Sequence, residues 1–76
     1  MSRPAGHPEK PLALSRREAQ VALLIALGKT NKEIAAQLGL SDQTVKEYVS
    51  KALRKTECRR RSELAARVAR CYARAG

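Results

Sequence analysis

Residues 30–56 read Thr30-Asn31-Lys32-Glu33-Ile34-Ala35-Ala36-Gln37-Leu38-Gly39-Leu40-Ser41-Asp42-Gln43-Thr44-Val45-Lys46-Glu47-Tyr48-Val49-Ser50-Lys51-Ala52-Leu53-Arg54-Lys55-Thr56. Thr30 and Glu33 stand at capping-box spacing: the hydroxyl accepts from the Glu33 N–H, and the carboxylate reaches back to Thr30. A short helix follows, with Ile34, Ala35 and Leu38 inward. Gly39 closes it, because glycine takes the left-handed conformation at little cost. Ser41 then caps a longer helix. In it Val45, Tyr48, Val49, Ala52 and Leu53 fall at i, i+3, i+4, i+7 and i+8, one apolar face. The opposite face carries Lys46, Glu47, Ser50, Lys51, Arg54 and Lys55. Two helices joined by the tight turn Gly39-Leu40-Ser41 make a helix-turn-helix layout. The glycine permits the turn, and Leu40 fits the space between the helices.

The flanks supply two more helices. Ser15-Arg16-Arg17-Glu18 is a second capping box, followed by Val21, Leu24 and Ile25 at helical spacing and by Gly28 as a stop. A fourth helix is expected from about Arg61 to Ala73, with Leu64, Ala65, Val68, Cys71 and Tyr72 along one stripe. No strand pattern or internal repeat is present. The expected fold is therefore all-α: a four-helix bundle-like domain containing a helix-turn-helix. Its expected core is Val21, Leu24, Ile25, Ile34, Leu38, Val45, Val49, Leu53, Leu64 and Val68. The domain is expected over residues 12–76. Residues 1–11 contain Pro4, Gly6, Pro8 and Pro11 and read as a flexible tail or linker stub, with His7 a solvated tail residue.

Composition limits what such a domain can do. The chain has 76 residues, too few for several domains or for an enzyme with a large cleft. Its 43% apolar fraction excludes general disorder. Much of that fraction is alanine, and Phe and Trp are absent, so the core is thin. Sixteen Lys and Arg oppose seven Asp and Glu, a net charge of +9 with a pI near 10.4. The excess is concentrated beyond residue 40, which makes the C-terminal half the expected contact surface for a polyanion. Nucleic acid and an anionic membrane surface are the two candidates. The helix-turn-helix favours the first, since its second helix can enter a major groove.

Cys58 and Cys71 are too few for a disulfide scaffold and lack the companions of a zinc site, so they read as reduced thiols packed as small apolar groups. No paired carboxylates, no nucleophile with a histidine base and no phosphate-cradling glycine loop are present. The expectation is a protein that is not an enzyme and needs no metal or cofactor. With no apolar run of membrane-spanning length and no signal-peptide core, it is expected in the cytoplasm, without a membrane partner.

The sequence also resembles a known family. Leu14-Ser15, Arg17-Glu18, Val21, Leu24-Ile25-Ala26 and Gly28 look like the opening of the LuxR/FixJ-type, or GerE-type, DNA-binding domain. Asn31-Lys32-Glu33-Ile34-Ala35, Leu38, Ser41, Thr44-Val45-Lys46 and Lys55 continue the match. Arg61, Glu63 and Leu64-Ala65 carry it into the fourth helix. The resemblance covers residues 12–74. It implies a four-helix domain of bacterial transcription regulators, whose third helix (about residues 42–56) reads double-stranded DNA in the major groove and whose fourth often mediates dimerisation. By that resemblance Lys46, Glu47 and Ser50 face base edges, and Thr44 and Lys55 touch the backbone.

Four further readings come from this sequence's own residues. Ser41, at a helix N-terminus where free N–H groups favour a phosphate, joins Thr44, Lys51 and Lys55 as a backbone contact. Two readings of Glu47 stand side by side: acceptance from a cytosine amino group, and an exposed pair with Lys51 at i+4. Arg59-Arg60-Arg61 reads equally as a phosphate clamp and as solvated loop charge. Leu64, Val68, Cys71 and Tyr72 form the expected homodimer contact, since Cys71 and Tyr72 extend the stripe past what the core needs.

Departures from the family pattern carry expectations of their own. Thr56 and Cys58 stand where Leu and Val are usual, which implies a weaker join between the third and fourth helices. Arg60 replaces a frequent Asn and so removes that N-cap. The leading function is a sequence-specific DNA-binding transcription regulator acting as a dimer, with RNA polymerase a further candidate partner. Two other functions compete: a module like region 4 of a sigma factor, and an interaction protein that blocks a full-length regulator by dimerising with it. The fourth helix argues against the sigma-like module.

Overall fold

The computed structural model describes residues 13–75, with side chains through Cys71. The expected tail over residues 1–11, His7 within it, and the Tyr72 side chain lie outside the described residues. Four helices run in the order α1 (Arg16–Ala26), α2 (Asn31–Leu38), α3 (Asp42–Thr56) and α4 (Arg61–Ala75), and no strand is present among the described residues.

Local chemistry sets the helix starts. In both capping boxes the hydroxyl and the carboxylate make their reciprocal bonds. Ser15 Oγ accepts from the Glu18 N–H at 3.1 Å, and Glu18 Oε1 accepts from the Ser15 N–H at 2.9 Å. Thr30 Oγ1 accepts from the Glu33 N–H at 3.1 Å, and Glu33 Oε1 accepts from the Thr30 N–H at 2.9 Å. Ser41 Oγ accepts from the Thr44 N–H at 3.0 Å and opens α3. The start of α4 is held from inside the helix. Arg60 supplies no side-chain cap, but Glu63 Oε1 accepts from the N–H of Arg59 at 2.6 Å and of Arg60 at 3.4 Å. The reaching-back half of a capping box is thus present without a hydroxyl at the cap position.

Three helices end on a left-handed residue. Gly28 (φ 87°), Gly39 (φ 69°) and Glu57 (φ 58°) follow α1, α2 and α3. In each case the next N–H returns to a carbonyl five residues back: Lys29 to Leu24 at 3.0 Å, Leu40 to Ala35 at 2.8 Å and Cys58 to Leu53 at 3.0 Å. This is the Schellman closure, and it turns the chain sharply enough for short connections.

The helices then bury one stripe each. α1 packs against both α3 and α4, and α2 packs against α3. Val21, Leu24, Ile25, Ile34, Val45, Leu64 and Val68 are buried as expected. Leu38, Val49 and Leu53 are only partly buried and flank that core, because the domain is too small to enclose every apolar side chain. Leu14, Ala22, Ala35, Ala52 and Cys58 complete the interior. Leu40 is half-buried against the core at the turn between α2 and α3.

Thr56 and Cys58 do not leave the α3–α4 join open. Both are buried, and the Thr56 hydroxyl donates back to the Ala52 carbonyl at 2.8 Å. Arg67 of α4 donates to the Thr56 carbonyl at 2.7 Å, fastening the fourth helix to the end of the third. Among the described residues no helix is long and apolar enough to cross a membrane.

Candidate nucleic-acid interface

α3 offers one side to the core and the other to solvent. Val45 and Ala52 are buried, with Tyr48, Val49 and Leu53 half-buried beside them. Lys46, Glu47, Ser50, Lys51, Arg54 and Lys55 are all exposed on the outer side. Gln43, Lys46, Glu47, Ser50, Lys51 and Arg54 line one shallow depression of about 210 Å³ along the helix. The three residues expected to face bases, Lys46, Glu47 and Ser50, therefore share a single continuous surface. Gln43 and Arg54 belong to that surface and were missed as site residues. Positions 43, 46, 47, 50 and 54 repeat at helical spacing, so the signal for both was present in the sequence.

The surface is basic. α3 carries Lys46, Lys51, Arg54 and Lys55 against Asp42 and Glu47. Asp42 lies in the first turn and Arg54 and Lys55 in the last, each at the helix end its charge suits. Among the described residues the only ion pair is Lys55–Glu18, so the Glu47–Lys51 pair is not formed and the Glu47 carboxylate faces solvent.

The residues expected at the DNA backbone divide. Ser41 is exposed, and its hydroxyl donates to Thr44 Oγ1 at 2.9 Å while capping α3. Thr44 is half-buried next to it. Lys51 is free and exposed. Lys55 is held: its Nζ donates to Glu18 Oε1 at 2.8 Å, across 37 residues of sequence. Burial pushes the Glu18 carboxyl up, but the Lys55 hydrogen bond, the Ser15 N–H and the Lys55 charge outweigh burial and hold it below the ordinary carboxylate range.

Two expectations are corrected. Arg61 is not free solvated charge. Its guanidinium donates to the Asn31 side-chain oxygen and, at 2.7 Å, to the Lys29 carbonyl, so it ties the start of α4 to the turn before α2. Arg59 and Arg60 do remain exposed. Leu64 and Val68 cannot centre a dimer contact, because both have zero exposure and close the chain's own core. Cys71 is half-buried against that core. The exposed side of α4 carries Ser62, Ala66, Ala69 and Arg70 instead.

A capped two-helix unit with a basic, solvent-facing second helix is the geometry of a groove reader. The family model for bacterial regulatory proteins of the LuxR family matches residues 12–68. The chain belongs to the LuxR family. It is a DNA-binding helix-turn-helix domain of transcription regulators. The match includes the first half of α4, the element that argues against the sigma-like reading.

Relatives agree with this LuxR-type assignment. The chain is 51% identical over 57 residues to an uncharacterized transcriptional regulatory protein of Bacillus subtilis, YhcZ, covering 75% of this chain and 27% of that protein. It is 45% identical over 60 residues to the two-component response regulator PprB of Pseudomonas aeruginosa, covering 76% and 22%. The spore germination protein GerE of Bacillus subtilis is 43% identical over 54 residues, covering 71% and 72%. The chain thus spans about a quarter of the length of YhcZ and PprB and nearly three quarters of GerE.

Proposed function

We propose that this LuxR-type domain binds duplex DNA sequence-specifically by laying the outer side of α3 in the major groove. The observation that carries the reading is the single exposed surface formed by Gln43, Lys46, Glu47, Ser50, Lys51 and Arg54. Lys46 donates to guanine acceptors, Glu47 accepts from a cytosine amino group, and Ser50 takes either partner. Lys51 and Lys55 supply point charges to phosphates, and Ser41 and Thr44 bring hydroxyls to the backbone at the N-terminus of α3. The work is transcription control in the cytoplasm, with RNA polymerase as the machinery acted upon.

Two copies bind one site. Support comes from the exposed side of α4, where Ala66 and Ala69 let a second helix approach closely. Such pairing places two recognition helices about one helical turn apart, ~34 Å. Cys71 stands at the border of that side, half-buried.

The test is a salt titration of binding to operator-like and random duplexes. A helix in the groove gives tighter binding to the operator-like duplex and a log–log salt slope of several units on both. A protein that only pairs with other regulators shows neither affinity nor slope. Ala69→Glu is expected to abolish cooperative binding to a two-fold site while leaving half-site affinity unchanged. Undiminished cooperativity moves the contact elsewhere.

A further inference from the structure

Glu18 is a charged side chain that the groove-reading surface does not use. It lies in α1, 4% exposed, and the same Oε1 accepts from the Ser15 N–H and the Lys55 ammonium. The capping box needs only the first of these bonds. The second reaches another helix, at the far end of the DNA-facing side of α3.

The two partners are unequally fixed. The Glu18 side chain is 5% exposed and the Lys55 side chain 43%. The carboxylate is therefore the immobile partner, and the lysine is the one being held. An ammonium has three donors. One points at Glu18, and the exposed portion leaves the others to solvent. Glu18, Lys51, Arg54 and Lys55 together line a cavity of about 300 Å³, three cations around one carboxylate. A phosphate cannot displace Glu18 at the floor of this corner, because the two anions repel. It meets the cations at the rim.

We propose that Glu18 is a positioning residue for DNA binding: it holds the Lys55 ammonium beside Lys51 and Arg54, so that this basic corner meets a backbone phosphate in one set geometry. A free lysine on α3 spreads over many rotamers and loses that freedom on binding. The pair removes the loss in advance. Glu18 also lowers the local positive potential, so positioning and charge act in opposite directions on affinity. That opposition makes the proposal decidable. It rests on the DNA-binding reading above.

The experiment compares Glu18→Gln and Glu18→Asp, each alone and combined with Lys55→Met, in duplex binding at a temperature where circular dichroism shows the folded helix content. Gln keeps the length and loses the charge; Asp keeps the charge and loses the reach. Positioning makes both single changes weaken binding by about threefold to tenfold, the effect of immobilising one long side chain. Neither weakens binding further once Lys55 is Met. Unchanged or tighter binding by Glu18→Gln overturns the proposal, since the carboxylate then acts only as a repelling charge. Equal weakening in both backgrounds also overturns it, since Glu18 then supports only the fold. If neither Glu18 variant folds, the wild-type protein decides through acylation of its amines. Held Lys55 is expected to react at least about threefold more slowly than free Lys51, and equal rates overturn the proposal. Wild-type protein that binds no duplex counts against the DNA reading itself, and the acylation ratio still reports on the pairing.

Discussion

Glu57 ends α3 at φ 58°, a conformation that Gly28 and Gly39 hold at the ends of α1 and α2. A side chain there crowds its own backbone, and glycine does not. Glu57→Gly is expected to stabilise the domain by about 1 kcal/mol, read as a higher urea midpoint with an unchanged m-value. No change in midpoint contradicts the strain. On the outer side of α3, Lys46 and Lys51 have separate expected roles. Lys46→Ala should relax sequence preference at one position and weaken binding to the preferred site most. Lys51→Ala should weaken every duplex alike and reduce the salt slope by about 1. Titration on preferred and random duplexes separates the two, and identical profiles contradict the division. Lys55 is the poorer probe of phosphate contact, because its removal also strands the buried Glu18 carboxylate.

At the scale of elements, α4 is fastened by two arginines. Arg61 binds Asn31 and the Lys29 carbonyl, and Arg67 binds the Thr56 carbonyl. Arg61→Ala is expected to cost about 1.5–3 kcal/mol, the range for hydrogen bonds made by a charged group. Arg60→Ala, at an exposed position without such bonds, should stay within about 0.5 kcal/mol. Equal melting temperatures for the two variants contradict the clamp. The contrast also shows which parts of the structure the sequence made legible. The caps at Ser15, Thr30 and Ser41 and the stop at Gly39 were readable because their partners lie within a few residues. The Arg61 clamp and the Lys55–Glu18 pair join residues 30 or more apart, and nothing local distinguishes Arg61 from Arg59 or Arg60. The outer surface of α3 was legible from periodicity. The burial of Leu64 and Val68 was legible as an apolar stripe, but the stripe does not say whether a core or a second copy covers it.

At the scale of the molecule, a few aliphatic side chains hold four helices together. Ile34 is fully buried and links α2 to the rest, so Ile34→Ala should cost about 2–5 kcal/mol, a large share of the stability of a small domain. A melt unchanged by that substitution contradicts the core. Acid acts through the caps. Backbone bonds from Thr30 lower the Glu33 carboxyl, and those from Arg59 and Arg60 lower Glu63, with Glu18 lowered as described. A carboxylate depressed in the folded state binds more protons when unfolded. Its contribution is therefore complete above its ordinary value of 4.5 and is lost as pH falls through the folded value. Urea midpoints should be level above that pH and fall below it, and a midpoint that rises on acidification contradicts the assignment.

Sequence reading by α3 is tested most directly by selecting bound duplexes from a random DNA pool, in parallel with wild-type protein and Lys46→Ala. The wild type should enrich one motif, two-fold symmetric with half-sites about one helical turn apart. Lys46→Ala should enrich the same motif with one position in each half-site blurred. A pool bound without enrichment, or a motif identical for the two proteins, contradicts the placement of α3 in the groove with Lys46 on a base edge.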